Sequence, residues 1–157
     1  MQSDDASARA LEALWAYGAR QSDLGRAFAR HMGMHTTDAA AVTEILRAEE
    51  RGHPLTPARL AERIGLTSGA TSILLNRLEE AGHITRLRER TDRRLVTLRS
   101  APAVHEASRL FSGPLRSRLR ETAASFSPQE LAVVERFIAD ICATLDAFSA
   151  PEPGRTP

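Results

Sequence analysis

Apolar residues recur at helical spacing along most of the chain. Leu11, Leu14, Trp15, Leu24 and Phe28 mark a first helix over 6–32, closed by Gly33 and the polar cluster Thr36-Thr37-Asp38. A second helix is expected over about 38–51, with Val42, Ile45 and Leu46 on one face and Gly52 as its stop. His53-Pro54-Leu55 is long enough only for a small strand or turn. Thr56-Pro57 is a strong helix start, because Thr caps and Pro takes the first position, where no N–H is needed. Leu60, Ala61 and Ile64 give that short helix its apolar stripe, and Gly65 ends it. Thr67 opens the next helix after only Leu66. There Thr71, Leu74, Leu75 and Leu78 fall at i, i+3, i+4 and i+7 and should face inward, with Gly82 as the stop.

The pattern then changes. Ile84 to Arg90 mixes Arg with apolar residues, and Leu95-Val96-Thr97-Leu98 is β-prone. Thr91-Asp92-Arg93-Arg94 between them reads as a polar turn, so the segment predicts two antiparallel strands. Pro102 opens a helix to about Ala124, with Gly113-Pro114 inside it as a kink or boundary. Ser127-Pro128-Gln129-Glu130 is a full capping box before a last helix over about 128–149. The tail from 150 to 157 is expected to be disordered.

A short helix, a tight turn, a second helix and a basic hairpin outline a winged helix-turn-helix. The second helix of such a unit enters the major groove, and the hairpin reaches the neighbouring minor groove. If Thr71, Leu74, Leu75 and Leu78 face the core, then Ser68, Gly69, Ser72, Ile73 and Asn76 face out. That face is small and hydrogen-bonding: Ser serves phosphates or bases, Asn reads adenine, and Ile touches a thymine methyl. Thr67, Ser68 and Gly69 also present helix N-terminal N–H groups to a phosphate. Arg77 beside them reads as a phosphate ligand or as an ion-pair partner of Glu80 or Glu62. The bland reading of the face is a solvated helix surface.

Composition sharpens this picture. The 157 residues are 42% hydrophobic and 26% charged, which suits one soluble globular chain. All 21 basic residues are Arg, and the net charge is +1. Residues 53–99 nevertheless hold nine Arg against five acids, a local net of +4 that points to an anionic partner. Arg86, Arg88, Arg90, Arg93 and Arg94 crowd the hairpin, and arginine suits a narrow, electronegative minor groove. Asp92 is expected to clamp one of these arginines at the tip. The competing reading is a hairpin kept basic against edge-to-edge pairing. At 4%, aromatics are too few for single-strand stacking platforms. A lone cysteine, Cys142, excludes an intrachain disulfide, and its mid-helix setting reads as inert filler. No run is long and apolar enough to span a bilayer and no secretory leader is visible, so a cytoplasmic location is expected. No nucleophile, phosphate-loop or dinucleotide motif appears, so no enzyme and no cofactor is expected.

The stretch from Leu55 to Leu98 resembles the DNA-binding region of the MarR (multiple antibiotic resistance regulator) family. The matching pieces are L-T-x-x-x-L-A-x-x-x-G-L-T-S over Leu55–Ser68, R-L-E-x-A-G over Arg77–Gly82, and D-x-R at Asp92-Arg93-Arg94. With the flanking helices, the resemblance covers about 8–148. It departs at Leu98-Arg99-Ser100-Ala101-Pro102, where the family more usually has L-T followed shortly by Gly. The resemblance implies a mainly α fold (α+β), with a winged lobe over 38–100 and a helical dimerisation region from 1–37 and 101–149. It implies a homodimeric regulator, of repressor type, binding a pseudo-palindromic duplex. In it Arg94 enters the minor groove, Asp92 braces the wing, and Ser68, Gly69 and Ser72 lie in the major groove. The apolar helix over 128–149, which has Val133, Val134, Phe137, Ile138, Ile141 and Leu145 on several sides, suits pairing of subunits. The alternative from another class is a winged-helix module that binds protein without touching DNA.

The resemblance also implies a small-molecule effector between the two regions. Trp15, His31, Met34, His35 and Phe111 are the candidates, each more readily read as an ordinary core or corner residue. His31 and His35 are four apart, with His105 on a later helix, but Gly33 breaks the first pair and no carboxylate joins them, so no metal is expected.

Overall fold

The computed structural model describes residues 2–88 and 95–149. Contacts divide the chain into two compact units, Met1–Ser112 and Gly113–Pro157. The wing-tip candidates Arg90, Asp92, Arg93 and Arg94, and the tail after 149, lie outside the described residues.

The first unit opens with α1 (Gln2–Met32) and α2 (Thr36–Glu50). Phe28 and Ala29 near the end of α1 pack into a core with Val42, Ile45 and Leu46 of α2. The front of α1 is different, with Leu11, Trp15 and Tyr17 exposed. Then come α3 (Pro57–Ile64) and α4 (Ser68–Glu80). The Thr56 hydroxyl accepts from the Arg59 N–H at 3.3 Å, and the Thr67 hydroxyl accepts from the Ala70 N–H at 3.3 Å. Both caps stand where the sequence places them. Between them Gly65 turns left-handed at φ +66°, a conformation that costs an L-residue about 1–2 kcal/mol, which lets the Thr67 cap of α4 follow after Leu66 alone. Leu60, Leu74, Leu75 and Leu78 are all buried, as the periodicity requires.

The wing is a two-stranded antiparallel sheet, β1 (Ile84–Arg88) with β2 (Val96–Ser100), in register from Ile84 opposite Ser100 to Arg88 opposite Val96. The second strand runs two residues past the expected Leu98. Its far end is held from outside the hairpin: Glu49 of α2 accepts from the Ser100 N–H at 3.1 Å and from the Ser100 hydroxyl. The segment His53–Leu55 is not a strand, yet Leu55 accepts from the Leu98 N–H at 2.8 Å. Ile84 and Leu98 carry the sheet's apolar face into the α3–α4 core.

A fifth helix, α5 (Pro102–Ala123), begins at the predicted proline and runs through Pro114. The boundary between the units falls beside it, between Ser112 and Gly113. The second unit holds the rest of α5 and α6 (Pro128–Ser149). Its capping box forms as expected: the Ser127 hydroxyl donates to Glu130 at 2.7 Å, the Ser127 N–H donates to Glu130 at 2.8 Å, and the Glu130 N–H donates back at 3.2 Å. Much of the apolar surface of α6 is left uncovered: Val133, Val134, Ile138 and Leu145 are exposed, and Ile141 is half-buried. Cys142 is exposed with them, so the expectation of a packed thiol fails for the chain taken singly. Among the described residues, no helix is long and apolar enough to cross a membrane.

Candidate nucleic-acid interface

The outward face of α4 is the one that periodicity assigns. Ser68, Gly69, Ser72, Ile73 and Asn76 are all exposed, and Ile73 is 69% exposed. Two hydroxyls are partly engaged: that of Thr67 caps the helix, and that of Ser72 donates to the Ser68 carbonyl at 2.9 Å. Both oxygens keep capacity for an outside partner. Gly69 has an ordinary helical φ, and a methyl built on it would meet nothing within 4 Å. The fold therefore gives no reason for glycine there.

Arg77 is ion-paired, but with neither expected partner. Its Nε donates to Asp38 Oδ2 at 3.0 Å and its Nη2 donates to Asp38 Oδ1, a bidentate fork onto a buried carboxylate at the start of α2. Asp38 holds the guanidinium further above its ordinary range, chiefly through these hydrogen bonds. Glu62 instead pairs with Arg59 at 3.4 Å. The Arg77 side chain remains about half exposed, so the fork anchors its head beside the α4 face.

The wing meets the same helix through Arg86. Its Nη1 lies 2.7 Å from Glu79 Oε2, its backbone N–H donates to Glu79 Oε1 at 3.3 Å, and its Nη2 donates to Asn76 Oδ1 at 2.8 Å. Sequence reasoning placed Arg86 in the basic cluster but missed this link, which joins a strand to a helix face ten residues away. Arg88 is exposed at the end of β1, opposite Val96.

The effector candidates separate. Phe111 stacks obliquely on Phe28 at 5.4 Å and on His31 at 5.2 Å, and Met34 and Phe111 pack partly buried against the core. His35 sits at the start of α2 without a side-chain capping bond. Trp15 is 69% exposed and lies sixteen residues before His31 on the same helix, about 24 Å along its axis. It does not join the other four. His105 pairs with Glu49 at 3.3 Å. Among the described residues, no three His, Cys, Asp or Glu side chains gather as a metal site. An open groove of about 540 Å³ between α1, α2 and α3 involves none of the candidates; Arg26, Arg47 and Arg63 line it, and Glu44 bridges Arg47 and Arg63 at 3.1 Å each.

Comparison with known proteins decides the lobe's kinship, since residues 32–95 match the model of the MarR family. The lobe belongs to the MarR family. The chain is 28% identical over 121 residues to the uncharacterized HTH-type transcriptional regulator YcgE of Bacillus subtilis strain 168, covering 77% of this chain and 76% of that protein. The fold is that of FabT of Streptococcus pneumoniae, solved in complex with DNA (TM-score 0.62, 22% identity, 90% of this chain and 98% of that one). It is also that of the transcription regulator MarR of Oenococcus oeni (TM-score 0.60, 14% identity, 84% of this chain and 97% of that one). The mainly α architecture with a small wing is thus the winged-helix fold of MarR-family regulators.

Proposed function

We propose that the chain is a homodimeric, sequence-specific DNA-binding transcription regulator of repressor type. In this reading α4 lies in the major groove, presenting Ser68, Gly69, Ser72, Ile73 and Asn76 to base edges and phosphates, with Thr67 at its N-terminus and Arg77 at its flank. The wing carries Arg88, Arg90, Arg93 and Arg94 to the adjacent minor groove, braced by Asp92. One observation supports it above the rest: a glycine that the fold does not need and a bare Ile73 share a face with small hydroxyls, within a segment of net charge +4. A face that must approach another backbone closely has use for such residues. The FabT complex shows this fold holding DNA in another protein.

The exposed apolar side of α6 supports pairing with a second copy, since obligate homodimers bury surfaces of this kind. The His31–Phe111 contact, with Met34 and His35 at the same corner, supports a small effector there. Protein docking without DNA has less behind it, because residues 38–100 contain no aromatic side chain, the type that anchors such interfaces.

Mobility shift of the duplex upstream of the chain's own coding sequence, at two salt concentrations, tests the proposal. Binding should weaken steeply with salt, the log–log slope changing by about −0.9 per phosphate contacted. Arg94→Ala should weaken binding and leave the oligomer intact. Salt-independent binding, or none, would overturn the reading.

A further inference from the structure

We infer that Arg86 fixes Asn76 as a hydrogen-bond donor toward DNA, so that the base pair it faces is selected for guanine or thymine over adenine. This rests on the major-groove placement of α4 proposed above. Arginine has five donors and no acceptor, so the Asn76 atom it meets at 2.8 Å must be the carbonyl oxygen. The amide orientation therefore follows from chemistry. Arg86 is itself held at two points by Glu79, through its Nη1 and its own backbone N–H, and its side chain is only 29% exposed. The guanidinium thus stands fixed against the Asn76 oxygen, and among the described residues the Asn76 –NH2 has no hydrogen-bond partner, which leaves it for an outside one.

A free asparagine reads adenine with both ends of its amide, accepting from N6 and donating to N7. Here the accepting end already faces a cation. Adenine's amino group would bring a second donor, carrying partial positive charge, against the same oxygen and beside the guanidinium. Guanine offers O6 and N7, and thymine offers O4, all acceptors that suit the –NH2 and the nearby positive charge. Arg86 is then a positioning residue, acting on base choice through Asn76. The competing account is a purely mechanical clamp between wing and helix, and that account predicts no change in base preference when the clamp is removed.

The experiment is selection of duplexes from a random pool by the full-length chain, followed by sequencing of the bound fraction. Asn76→Ala should erase the preference at one position of each half-site, and in the unaltered chain that position should hold G or T, favoured about five- to tenfold. Arg86→Ala should move it to A, whereas Arg86→Lys, which still donates to the Asn76 oxygen, should keep G or T. Asn76→Asp retains the acceptor and loses the donor, so it should abolish the G or T preference even if Arg86→Ala does not fold. A or C at that position in the unaltered chain, no position sensitive to Asn76→Ala, or an unchanged preference in folded Arg86→Ala would each overturn the inference while leaving DNA binding intact. Enrichment of no sequence at all by the unaltered chain would instead remove the functional reading beneath it.

Discussion

Gly69 and Thr71 lie two residues apart on α4 and face opposite ways, so substitutions at them separate folding from binding. At Gly69 a methyl meets nothing within 4 Å, and alanine is the better helix former by up to about 1 kcal/mol. Gly69→Ala should therefore raise the denaturation midpoint slightly and still weaken binding to the selected duplex, as melts and titrations on one preparation would show. Undiminished affinity would mean that close approach is not why glycine stands there. Thr71 is 2% exposed, and its hydroxyl has no hydrogen-bond partner among the described residues. A buried unsatisfied hydroxyl costs about 1–3 kcal/mol, so Thr71→Val, which keeps the shape, should stabilise by about 1 kcal/mol with an unchanged m-value and unchanged DNA affinity. The inward and outward sorting of these residues was legible in the sequence, because helical periodicity is local. The partners of Arg77 and Asn76 were not: Asp38 stands thirty-nine residues from Arg77, and Arg86 reaches Asn76 only once strand and helix have packed.

Local capping also explains why the starts of α3, α4 and α6 match the sequence reading, whereas the uncapped start of α2, at Thr36 and not Asp38, and the end of β2 do not. Thr56, Thr67 and Ser127 each bond a backbone N–H within three residues, so the signal and the structure occupy the same short stretch. The end of β2 depends instead on Glu49, fifty-one residues before Ser100 in the chain, and nothing near Ser100 announces that bond. The capping box at α6 gives a pH test. The Ser127 hydroxyl and then its backbone N–H hold the Glu130 carboxyl below the usual carboxylate range. A depressed folded-state value contributes stability above the unfolded value, about 4.3 for Glu, and that contribution is lost as pH falls through the folded value. Amide exchange at the first turn of α6 should therefore accelerate, relative to its intrinsic rate, as pH drops below about 4. Glu130→Gln keeps the box and removes the titration, so its exchange should lack this acid limb. An acid limb that persists in Glu130→Gln would place its source elsewhere.

The two units pose different problems for a single chain. The first closes a core around Val42, Ile45, Leu60, Leu75 and Leu98, whereas the second leaves Val133, Val134, Phe137, Ile138 and Leu145 exposed to at least 38%. Burying apolar surface is worth about 25 cal/mol per Å², so a row of such residues is the observation behind the proposed pairing with a second copy. Ile138→Glu would place a charge in that surface and should give a monomer by light scattering, with the first unit's helicity retained. Two lobes on one duplex act as linked binding modules, which raises affinity by about 10²- to 10⁴-fold over one lobe alone. The monomeric variant should therefore lose at least about a hundredfold in affinity for the full operator. Its salt dependence gives a sharper check than affinity. If each lobe contacts the same phosphates, the log–log slope of the dimer is the sum of two equal parts, so the variant's slope should fall to about half. A slope that stays at the dimer's value would mean that one lobe makes all the phosphate contacts and that pairing through α6 serves something other than DNA. A lost slope together with lost helicity would mean that Ile138 supports folding of the chain, and the assignment of this face to a partner copy would then fail.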